Sequence, residues 1–91
     1  MTAGLTLAER LDLTAARPLA GAIAAAKGDI RLDASGVRFM GGLCLQILLA
    51  ARQQCRADQR GFAITDPSEE FDEALRTLGV DPRFLDGGSD A

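Results

Sequence analysis

Residues 29–55 read DIRLDASGVRFMGGLCLQILLAARQQC, and this stretch restricts the fold more than any other. Its opening run alternates, putting Ile30 and Leu32 on one face as a half-buried strand requires. SGVRFMGG then turns the chain, and a helix is expected to begin near Gly42. From there Leu45, Leu48, Leu49 and Arg52, and likewise Cys44, Ile47, Leu48, Ala51 and Cys55, recur at three- and four-residue steps, forming a broad apolar stripe. A strand joined to an amphipathic helix through a turn is half of a βαβ unit, so the rest of the chain has to supply parallel partners.

The remaining pattern provides them. LTL and RLDL, before residue 14, alternate briefly on either side of Glu9-Arg10 and predict two short strands or one bent strand. Thr14 offers an N-cap for AARPLAGAIAAAKG, in which Leu19, Ile23 and Ala26 share a face, Pro18 falls near the first turn and Gly28 is the stop. GFAIT predicts a short buried strand. In DPSEEFDEALRTLGV, Asp66 or Ser68 can cap and Pro67 sits in the first turn. Phe71, Leu75 and Leu78 share a face, and Gly79 terminates. One domain over residues 1–85 with a mobile tail at 86–91 is the expected organisation.

The 91 residues carry a net charge of −3 and one lysine, Lys27, which disfavours non-specific nucleic-acid binding. Arg52, Arg56 and Arg60 form an i, i+4, i+8 ridge, expected to be a solvated face matched to the helix dipole. No segment has the pattern of a signal peptide or a membrane span, so a cytoplasmic protein without direct membrane insertion is expected. Cys44 and Cys55 on one helix would lie roughly 16 Å apart along its axis, too far to bridge, and are expected as core thiols.

Chemistry-bearing groups are sparse. The absence of histidine removes the commonest general base and metal ligand. Asp33 ends a strand where α/β domains place functional groups, but a lone carboxylate there more often accepts bonds from loop amides. Cys44, near a helix start, could have a lowered pKa, although no His or Lys is predicted beside it. Gly41-Gly42 lacks both phosphate-loop signatures, so positive φ or close backbone approach is its ordinary explanation. Neither a catalytic residue, a metal nor a cofactor is assigned.

At residues 30–52, IRLDASGVRFMGGLCLQILLAAR resembles the STAS family of sulfate transporters and anti-sigma factor antagonists, whose core reads like hhhDhSGVxFhDSSGLxhLhxAxR, with h apolar. Asp33, Ser35-Gly36-Val37, Phe39, Leu45, Leu48 and the Ala-Ala-Arg ending match. GFAITDPSEEFDEALRTLGV is similar to the family's last strand, PS turn and closing helix. The resemblance implies an α/β STAS fold, a mixed β-sheet with about three main helices packed mainly on one face. It is strongest to short bacterial members encoded among chemotaxis and two-component genes.

Aligned this way, Gly42 falls where the family has its phosphorylatable Ser or Thr, and Gly41 where it has Asp. The resemblance therefore implies a docking surface without the ordinary phosphorylation switch. Ser35, the nearest hydroxyl in the motif, fits local backbone bonding. The expected contact surface comprises Asp33, Ser35, Gly36, Arg38, Met40, Gly41, Gly42, Leu43 and Gln46. Its implied partner is a kinase, phosphatase, anti-sigma factor or chemotaxis component. Two alternatives stand beside this adaptor: a soluble subunit of a membrane lipid-transport ATPase, and a small-ligand or nucleotide-binding domain. The composition allows a homodimer without requiring one.

Overall fold

The structure, a computed structural model, describes residues 2–81. Its elements in chain order are β1 (Thr2–Thr6), β2 (Arg10–Leu11), α1 (Leu13–Ala25), β3 (Asp29–Asp33), β4 (Phe39–Met40), α2 (Gly42–Ala57), β5 (Phe62–Thr65) and α3 (Glu69–Thr77). The α/β architecture with three helices is as expected, and its strands are divided between two ladders. One sheet has the order β1-β3-β5, and a smaller one pairs β2 with β4. All these pairings are parallel.

Alternation in β3 sets the layering. Ile30 pairs with Ala3 and Phe62, and Leu32 with Leu5 and Ile64, so these side chains share one face. Ile30, Leu32 and Ile64 enter the core there, while Arg31, between Gly4 and Ala63, is exposed on the other face. The stripe on α2 supplies Cys44, Leu45, Leu48, Ala51 and Cys55, and α1 lies alongside that helix. Phe71 and Leu75 of α3 complete the core, as the closing-helix pattern predicts, whereas Leu78, expected on the same face, caps the helix and is 41% exposed.

Local signals fared unevenly. Asp12, not Thr14, caps α1, because its carboxylate accepts from the amides of both Thr14 and Ala15. Pro18 is consequently the sixth helical residue and not in the first turn. The helix ends at Ala25, and Gly28 instead takes a φ of 69° in the turn into β3. Ser68 caps α3, which leaves Pro67 ahead of the helix. Gly79, at φ 86°, terminates that helix as expected.

The arginine ridge is corrected. Arg52 is 8% exposed and belongs to the packed side of α2. Arg60 lies beyond the helix, half-buried, donating to the Gly28 carbonyl at 3.2 Å and to Asp58 at 3.3 Å. Only Arg56 of the three is exposed. Cys44 and Cys55 are free and buried. The expected tail at 86–91 lies outside the described residues. No helix among the described residues is long and apolar enough to cross a membrane.

Candidate protein-docking site

The two-residue β2–β4 ladder brings the first turns of α1 and α2 side by side. Pairing of Leu11 with Met40 continues into a bond from the Gly41 amide to the Leu11 carbonyl, 3.0 Å. The next residue, Asp12, starts α1 while Gly41 starts α2. The Cys44 thiol then donates to the Asp12 carbonyl at 3.4 Å, closing the junction.

Gly41 is the N-cap of α2, and no side chain caps that helix. Its φ of −90° and ψ of 171° are open to any residue. A Cβ on Gly41 would meet the Leu11 carbonyl oxygen and the Phe39 ring at 3.8 Å, an ordinary contact. One on Gly42 would meet nothing within 4 Å. Neither positive φ nor crowding therefore explains the pair, contrary to the ordinary reading of such glycines. Their effect is subtractive: exposed Gly42 brings no side chain to the start of α2, and no side chain caps its first amides.

Exposed apolar groups surround this bare start. Leu13 on the first turn of α1 is 75% exposed, Leu43 on the first turn of α2 50%, and Phe39 of β4 43%. The Arg10 guanidinium carbon lies 5.1 Å from the Phe39 ring centroid, and its Nε lies 3.7 Å from the Asp12 carboxylate. A bond from the Thr14 hydroxyl, foremost, holds Asp12 below the usual carboxylate range, helped by the Ala15 and Thr14 amides and by Arg10. Burial pushes the Cys44 thiol up, and the Asp12 charge adds to this. Both effects run against an activated thiol at this helix start.

Three neighbouring patches hold the sequence-predicted residues. Gly41, Gly42, Leu43 and, about one turn on, exposed Gln46 form the α2 start. Asp33, Ser35 and Gly36 form the turn after β3, where the Asp33 carboxylate accepts the Ser35 amide at 2.9 Å, the foremost cause of its lowered pKa. Ser68 secures that turn, its amide donating to the Ala34 carbonyl at 3.1 Å and its hydroxyl to the Val37 carbonyl at 2.6 Å. Arg38 and Met40 flank Phe39 on the third patch. Met40 differs from expectation: at 4% exposure it faces inward, because β4 is a strand and not a turn.

The third patch opens into a groove of about 480 Å³ between β4 and α3, lined on the helix side by Glu69, Glu70, Glu73, Ala74, Thr77 and Leu78. The sequence reading placed none of these α3 residues at the surface of interest. Only the long-range packing of α3 on β4 makes them neighbours of Arg38 and Phe39.

This arrangement holds exposed apolar side chains around an uncapped helix, with no cluster of metal-ligating groups among the described residues. A family model described as "Mlab, STAS domain" matches residues 2–86. The chain belongs to the STAS domain family. Comparison with curated proteins and with solved structures finds no match. STAS domains are in general interaction modules without catalytic activity and bind protein partners. This STAS domain presents the β3–β4 turn, the α2 start and the β4–α3 groove as three neighbouring stretches of surface, with buried residues between them.

Proposed function

We propose that this STAS domain is a non-catalytic docking module of bacterial signal transduction, anti-sigma factor antagonist-like or a chemotaxis or two-component adaptor, acting in the cytoplasm. A protein partner is held at the start of α2 by Gly41, Gly42, Leu43 and Gln46, with the turn at Asp33, Ser35 and Gly36 and the neighbouring Arg38 at its margin. One observation carries this reading: the glycine pair is required by neither backbone conformation nor crowding, yet it leaves the helix start bare amid exposed Leu13, Leu43 and Phe39. With Gly42 at the phospho-acceptor position, no phosphate can be added there, so docking at this point is not relieved by modification.

Affinity capture from cell extract, with the native chain and its Gly42→Asp variant as baits, tests the reading. A Cβ at residue 42 meets nothing within 4 Å, so the variant adds charge at a position with room for a side chain to start. A kinase-like or chemotaxis protein held by the native bait and lost from the variant is the expected result. Retention of every partner by the variant would overturn docking at residue 42. Membership of the STAS family is equally compatible with a second reading, a soluble subunit of a membrane lipid-transport ATPase. Under that reading both baits bring down the ATPase subunit.

A further inference from the structure

The groove between β4 and α3 has an apolar lining and an acidic rim. Half-buried Ala74 contributes apolar surface over the buried Met40, Phe39 and Leu78 remain 43% and 41% exposed, and Glu69, Glu70 and Glu73 stand along the helix side. The helix dipole accounts for Glu69 and Glu70, which lie in the first turn of α3, but not for Glu73, which lies beyond it. Glu69 and Glu73 are moreover four residues apart on one helix face, a like-charge pairing that weakens an isolated helix. Arg38 reaches only Glu70, at 4.0 Å, and no ion pair among the described residues includes Glu69 or Glu73. The groove thus couples exposed hydrophobic surface to two carboxylates, Glu69 and Glu73, that no ion pair among the described residues balances.

We propose that this groove receives a basic amphipathic helix of the partner protein, its apolar face against Phe39, Ala74 and Leu78 and its flanking Lys or Arg side chains on Glu69, Glu70 and Glu73. This rests on the docking-module reading and gives the partner a chemistry at a second surface, which adjoins the α2 start at Phe39 but does not include Gly42. A helix suits the site better than an added strand, because β4 is two residues long and offers too short an edge for a ladder.

The test is a titration of the full 15N-labelled chain with an amphipathic leucine-lysine peptide of roughly four helical turns, followed by amide chemical shifts. A peptide with glutamate in place of lysine serves as control. Shifts centred on Phe39, Glu73, Ala74, Thr77 and Leu78 are expected with the lysine peptide and not with the glutamate one. The combined variant Glu69→Gln, Glu70→Gln, Glu73→Gln should bind about tenfold more weakly, as three exposed ion pairs would give. Gly42→Asp should bind as the native chain does, which separates this proposal from the α2 reading. Unchanged circular dichroism of each variant verifies the fold. No binding, equal binding of both peptides, or shifts centred on residues 42–46 would overturn the proposal. So would a native dimer made monomeric by Leu78→Ser, which would assign the groove to a second copy.

Discussion

The Cys44 thiol donates to the main-chain oxygen of Asp12 at 3.4 Å, so the first turn of one helix is fastened to the cap of its neighbour. Burial foremost raises the pKa of Cys44, and the Asp12 charge adds to it. Burial likewise leads for Cys55. Both thiols are therefore expected to resist iodoacetamide at neutral pH in the folded chain and to react quickly in urea, a contrast read by intact mass. Rapid labelling of native Cys44 would mean that the helix junction opens.

Acid should weaken the fold partly through Asp12 and Asp33. Both carboxyls are held below the ordinary value of 3.8, Asp12 chiefly by the Thr14 hydroxyl and Asp33 chiefly by the Ser35 amide. A depressed folded pKa means that the ionised form is favoured on folding. The associated stability is present above 3.8 and is lost as pH falls through the lowered folded values. Urea midpoints measured from pH 5 downward should fall in that window, and Asp12→Asn, which can still cap, should fall less steeply. An identical slope for the variant would remove Asp12 from the account.

Ser68→Ala should be the costliest change to any exposed or half-buried hydroxyl on this surface. The variant loses both the α3 cap to the Phe71 amide, 3.0 Å, and the 2.6 Å bond to the Val37 carbonyl. A destabilisation of about 1–3 kcal/mol follows from one cap and one partly buried hydrogen bond. Chemical denaturation measures it, and a change below a few tenths of a kcal/mol would show that neither bond matters in solution.

Pro18→Ala should stabilise the chain. As the sixth residue of α1, Pro18 cannot donate the bond that the Thr14 carbonyl would otherwise receive. Removing the helix penalty of about 3 kcal/mol, less the unfolded-state restriction of up to about 1 kcal/mol that proline supplies, leaves a net gain of about 2 kcal/mol. A lower denaturation midpoint for the variant would indicate that α1 is already bent to accommodate the ring.

The layered core was legible because it is periodic: Ile30 and Leu32, the stripe from Cys44 to Cys55, and Phe71 with Leu75 all fell on the expected faces. End signals were harder, because Asp12 and Thr14 are both able caps and only the geometry shows Thr14 donating to Asp12 at 2.7 Å. Two-residue β4 is shorter than any detectable repeat, which is why a turn was expected there and why Met40 was placed outside. Arg52 sat at a core position in the helical pattern, yet its charge argued for solvent. The groove left no signal, since it joins residues 38–40 to residues 69–78, segments related only through tertiary packing.

The surface assigned to docking hangs on a ladder of two residue pairs, Arg10 with Phe39 and Leu11 with Met40, whereas β3 is hydrogen-bonded along both edges. Unequal anchorage divides the molecule into zones of different persistence. Amide deuteration should reach the β2–β4 corner well before β3, through openings that leave the central strands intact. A partner that clasps this corner would then freeze fluctuations the free domain permits, so its arrival would be registered as slowed exchange at residues 10–13 and 39–45 before any displacement of the backbone could be seen.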